Sequence, residues 1–282
     1  MVHALDYASE AKDIFVLPDA VIQIKRLIDD HATDMEDIAG VINYDPALTV
    51  QILKIANSAL YKFPSKIESV SKAIQVIGTN SVYDLVIACS ICKTFNGVDN
   101  SVIDLDRFWE NSVFCGLLCK YFAERLIGKG SERLFVSGLL HNVGELVMVR
   151  FNPEIARKCA QISETDTPLQ LQLKHLGSTY ADIGATLVRM WGIPTTIVDP
   201  IGNQHHSQTE AKTIDDKIIQ LSYIMALDSC YPELYSGHAN LEVELYEDLG
   251  LDNESLETAL NFVGMQSLSV LAMFSPSSSV VL

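Results

Sequence analysis

Basic residues are scarce in this chain: 20 lysines and arginines stand against 36 aspartates and glutamates, a formal net charge of −16. A surface of that sign repels phosphate backbones and anionic lipid, so neither nucleic acid nor membrane is an expected partner. The deficit is steepest at the end, where Ser207 to Leu282 holds twelve acidic residues against Lys212 and Lys217, −10 of the total. Long apolar runs are missing as well; none approaches the roughly 20 residues a bilayer requires. The opening Met1-Val-His-Ala-Leu-Asp-Tyr7 lacks the basic and then apolar order of a secretory signal, and a cytoplasmic location is the expectation.

Cysteine is present but not arranged as a disulfide framework. Six thiols (Cys89, Cys92, Cys115, Cys119, Cys159 and Cys230) are thinly spread over 282 residues, which suits a reducing compartment. Cys89-x-x-Cys92 and Cys115-x-x-x-Cys119 superficially match a four-thiolate zinc pattern. Both pairs lie in apolar helical stretches without glycine knuckles, so core packing is the expected role. Period-two strands are missing too, which leaves an all-α reading.

What is present is helix punctuation. Pro18 precedes an apolar stripe from Ala20 to Ile28, and Thr33-x-x-Glu36 has the form of a capping box. Asp45-Pro46 offers an N-cap followed by proline at the first helical position, with Leu48, Ile52, Leu53, Ile55 and Ala56 as the stripe behind it. Ser69 opens a helix that Gly78 ends, and another is predicted over 81–95. Further helices are predicted from Asp104 or Asp106 to Leu126, from Ser131 to Phe151, and over 153–163, 168–176, 179–191, 194–206, 214–229, 241–249, 253–262 and 265–273. Polar Ser207 to Thr213 reads as a hinge and Ser275 to Leu282 as a frayed end. Lys54, Lys62, Lys66 and Lys72 form a modest basic cluster whose expected role is a solvated face.

Several blocks in fixed order carry a resemblance. Asp45-Pro-Ala-Leu-Thr-Val-Gln-Ile-Leu-Lys-Ile-Ala-Asn-Ser58, Ser69 to Gly78, Phe108-Trp109, Gly138-Leu-Leu-His-Asn-Val-Gly144 and Trp191-Gly-Ile-Pro194 with His205-His206 together resemble the bacterial HDOD (HD-related output domain) family, over roughly 16–231. The resemblance implies an all-α, multi-helix HD-like fold with an N-terminal helical lobe at 14–100. An HD-like lobe with acidic C-terminal helices would follow at 101–282. It also implies a signalling output module, of unknown oligomeric state, that binds a protein partner.

HD-type phosphohydrolases hold divalent metals through spaced His and Asp residues and so activate a water. The resemblance places Asn111, His141, Asn142, Tyr180, His205, His206 and Asp228 at the ligand-type positions, with Glu145 where active enzymes often carry lysine. Asn111, Asn142 and Tyr180 are poor substitutes for imidazole and carboxylate ligands. The expectation is therefore a relic cluster with no catalytic residue and no cofactor. The alternative is a divalent metal weakly held by His141, His205, His206 and Asp228, in a nucleotide or cyclic-dinucleotide phosphodiesterase. A further alternative is a ligand sensor that uses the relic cleft without chemistry. Gly138, Gly144 and Gly184 would allow helices to approach closely.

Overall fold

A computed structural model describes residues 4–30, 33–61, 63–128, 130–206, 213–235, 241 and 243–274. All regular structure among these residues is helical, as expected. Most of the hinge at 207–213 and the whole 275–282 tail lie outside the described residues, as does Lys62 of the lysine cluster.

The chain forms two compact units, one of residues 16–96 and 264–282, the other of 1–15 and 97–263. Each is discontinuous in sequence, whereas the expected lobes, 14–100 and 101–282, were contiguous. The first unit is built from α2 (Asp19–Asp29), α3 (Met35–Asn43), α4 (Pro46–Ala56), α5 (Val70–Ile77) and α6 (Thr79–Thr94). Its caps are the ones sequence signals point to, with one shift. Asp34, not Thr33, caps α3, and Asp37 returns the bond to complete the box. A carboxylate one residue nearer the helix out-competes the hydroxyl for the free N–H groups.

Asp45 accepts from Ala47 N at 2.9 Å and Leu48 N at 3.1 Å, and Ser69 accepts from Lys72 N. At the far end of α4, the Asn57 amide donates to Leu53 O and Ile67 O, both at 2.8 Å, and accepts from Ile67 N at 2.7 Å. One side chain thus closes α4 and pins the loop that follows it. The Asp45-to-Ser58 block is architecture by these contacts.

The second unit contains α1 (Ala4–Ile14), which no sequence signal foretold, and then α7 (Leu105–Leu126), α8 (Glu132–Leu140), α9 (Val143–Phe151), α10 (Pro153–Cys159) and α11 (Pro168–His175). It continues with α12 (Tyr180–Met190), α13 (Thr195–Asn203), α14 (Ile214–Cys230) and α15 (Val243–Glu247). The two helices expected at 253–262 and 265–273 are one, α16 (Asn253–Phe274). Glycine can be accommodated inside a helix, and Gly264 does not stop it.

Small residues let this unit's helices close up. A Cβ on Gly138 of α8 would lie 2.8 Å from Cys115 O of α7, and one on Gly144 of α9 would lie 2.1 Å from Tyr180 O of α12. These two crossings fix α8, α9 and α12 around the candidate site. All six cysteines are buried and free, which places them in the core as expected. Burial pushes the Cys89 and Cys115 thiols above their ordinary range.

Glu132–Phe151 is the one stretch, among the described residues, long and apolar enough on its own to cross a membrane, and 78% of its most apolar window is buried inside the protein. It exceeds the apolar length that the sequence reading allowed. It also breaks at His141 and Asn142 into α8 and α9 rather than running as one helix.

Candidate functional site

The break between α8 and α9 organises the site. His141 Nδ1 lies 2.7 Å from Gly138 O, and a carbonyl can only accept, so Nδ1 carries the proton. That bond draws on a carbonyl at the end of the helical ladder, while the His141 carbonyl accepts from Gln204 Nε2 at 3.0 Å. The imidazole is fully buried, and its Nε2 has no hydrogen-bond partner. Burial pushes its pKa down to about 4, so the ring is neutral at pH 7.

Asn142 Nδ2 donates to Glu145 Oε2 at 2.6 Å, one turn along α9. Burial raises the Glu145 carboxyl to about 7, against the lowering effect of that amide. Tyr180 begins α12, where Thr179 and Asp182 form a capping box and Gln172 Oε1 accepts from Tyr180 N at 2.8 Å. Its hydroxyl is buried beside the Cys159 thiol.

Asn111 of α7, Asn142, Glu145 and Tyr180 line one cavity of about 290 Å³, together with Arg107 and Tyr223. Arg107 pairs with Glu233 and lies 4.8 Å over the Tyr231 ring. Tyr223 of α14 links the cavity to the histidines: the His141 and His205 ring centroids lie 5.7 and 4.9 Å from its own. His205 is half-buried, and burial, reinforced by His141, takes its pKa down to about 4.

The seven ligand-type positions therefore do not all converge. Asn111, Asn142 and Tyr180 share the cavity wall, and His141 and His205 pack against Tyr223, which also lines it. His206 is exposed and lines a separate hollow with Ser178, Asp182 and Arg189. Asp228 is buried in α14 but is not part of the cavity wall. Among the described residues, no three His, Cys, Asp or Glu side chains form a group able to hold a metal ion.

Arg107, Tyr223, Tyr231 and Glu233 were not anticipated. Within a helix or turn of mixed composition, their spacing is that of ordinary core and surface positions. In the first unit, a shallower and larger hollow of about 880 Å³ lies against α4, with Lys54, Asn57 and Lys66 on its walls.

The HDOD domain family matches this chain over residues 14–207, more than half its length, and the chain belongs to that family. A protein from Shewanella amazonensis named a "putative phosphohydrolase" superposes with a TM-score of 0.75 at 22% identity, over 96% of this chain and 98% of its own. An HDOD domain protein of unknown function from Geobacter sulfurreducens gives 0.68 at 20% identity, over 96% and 97% of the two chains. These likenesses establish a shared HD-like helical fold. An uncharacterised protein from Treponema pallidum is 27% identical over 223 residues, 75% of this chain. The match spans only 42% of that relative's length.

Proposed function

We propose that this chain is a non-catalytic HDOD signalling module that binds a protein partner, with the HD-like site retained as architecture. The observation that carries the reading is the Asn142–Glu145 hydrogen bond. Where an HD enzyme would present a carboxylate to its metals, this chain presents a neutral amide that donates to the neighbouring carboxyl. Asn111 adds a second neutral oxygen and Tyr180 a phenol whose burial raises its pKa far above neutrality.

A divalent phosphohydrolase centre does not fit this donor set. Hard cations are held by carboxylates and imidazoles, and their charge makes the hydroxide nucleophile. His206 is turned to solvent, which weakens the four-ligand alternative of His141, His205, His206 and Asp228. The acidic surface argues against nucleic acid and anionic membrane as partners, and leaves protein as the class that suits an output module.

The test is hydrolysis of bis-p-nitrophenyl phosphate and cyclic dinucleotides by protein purified without chelator, with manganese added. The expected result is no turnover above buffer and no stoichiometric manganese, iron or zinc in the purified protein. Turnover that His141→Ala abolishes would make the chain a metal-dependent phosphohydrolase instead.

A further inference from the structure

We infer that the cavity of the second unit is a binding site for a small organic cation carrying a primary ammonium group. Carboxylates and an unpartnered buried amide oxygen outweigh the cations at its wall. Asn111 lines the cavity and is 8% exposed, and its side-chain oxygen has no hydrogen-bond partner. Tyr180 is 2% exposed, and its hydroxyl lies beside the Cys159 thiol at the same wall. Glu145 accepts one bond, from the Asn142 amide, and no cation stands within ion-pair distance of it among the described residues.

The cation of the wall is committed elsewhere. Among the described residues lining the cavity, Arg107 is the one cation, and it is engaged by Glu233 and the Tyr231 face. Asp104, Glu145 and Glu233 leave the wall with an acidic excess over that single guanidinium. An anion would meet this acidic excess with the one guanidinium already paired. An apolar ligand would leave the buried oxygens unsatisfied, which folded proteins avoid. An ammonium supplies three donors, no acceptor and the missing charge.

The remaining wall suits the same ligand. Phe108, Tyr223 and Tyr231 present rings, and aromatic faces attract cations that have left bulk water. At about 290 Å³ the space falls at the lower end of small-molecule sites, which run from about 300 to 1,000 Å³. A short aliphatic amine matches that size. The inference rests on the non-hydrolytic reading only in leaving the cavity free of catalytic metal, and hydrolysis is measured in a separate assay.

Calorimetric titration of the full chain with 1,4-diaminobutane, n-butylamine, n-butanol and manganese tests it. Both amines should bind one per chain, detectable at about 10 mM, a concentration that nearly saturates even a millimolar site. n-Butanol should not bind. Glu145→Gln, which keeps the side-chain shape, should weaken the amines at least tenfold, and Asn111→Leu should also weaken them. Should either variant fail to fold by circular dichroism, the amine-against-butanol comparison in the parent decides. Absence of amine binding, equal binding of n-butanol, or unchanged affinity in folded Glu145→Gln would overturn the assignment. So would manganese binding that displaces the amines and is lost in Glu145→Gln, since the site would then be a metal centre. Failure here with no phosphodiesterase activity leaves the signalling reading standing.

Discussion

Asp45 shows how one side chain serves local structure. Its carboxylate takes the two free N–H groups of Ala47 and Leu48 and lies 3.4 Å from Lys93 Nζ. The bond to Leu48, then the Lys93 charge, holds its pKa below the ordinary 3.8, against the raising effect of partial burial. Asp45→Ala should cost about 1 kcal/mol at pH 7, while Asp45→Asn, still able to cap, should cost less. Because the folded pKa is depressed, the charged cap contributes its stability above pH 3.8 and loses it as pH falls through the lower, folded value. Urea denaturation midpoints of parent and Asp45→Ala should therefore differ at pH 7 and draw together in acid. The same residue-scale reading holds for Ser69, because caps depend on neighbours within a few positions. The exposure of His206 is not a local property, since it depends on how the end of α13 is placed.

Among elements, the decisive contacts are glycine crossings. Gly144 has no room for a methyl group, since its Cβ would lie 2.1 Å from the Tyr180 carbonyl oxygen, a backbone atom that cannot move alone. Gly144→Ala should destabilise by about 3 kcal/mol, because overpacking forces a backbone shift. Gly40 in α3 is the control: nothing lies within 4 Å of its added Cβ. Gly40→Ala should stabilise by about 0.5–1 kcal/mol through helix propensity. Thermal denaturation of the two variants separates close packing from propensity. Equal effects of one sign would mean that α9 and α12 do not meet at Gly144. Ser131 to Phe151 reads as one helix in sequence because its apolar period continues unbroken. At the break, His141 Nδ1 bonds back to Gly138 O three residues away, and Gln204 Nε2 reaches His141 O from a distant part of the chain.

At the scale of the whole molecule, charge dominates. A formal −16 spread over 282 residues repels itself, and salt screens that repulsion within a Debye length of about 8 Å at physiological strength. The melting temperature should therefore rise as sodium chloride is increased from about 10 to 150 mM, a range over which the screening length shortens several-fold. A fall would mean that ion pairs such as Arg133–Asp215 and Lys120–Glu132 outweigh the net repulsion.

Sequence alone determined the helical class, most helix starts, the burial of the cysteines and the family. Each of these follows from periodicity, capping chemistry or residue order along a short stretch of chain. Tertiary structure decided the rest. It assigned α1 and the end of α16 to units distant from them in sequence, and set Asn111, Glu145 and Tyr180 around one cavity. It also left His206 and Asp228 outside that cavity. The physical reason is that a helix pattern states which face is apolar but not which other face will cover it. That pairing depends on close approaches, such as Gly144 against Tyr180, between residues far apart in the chain.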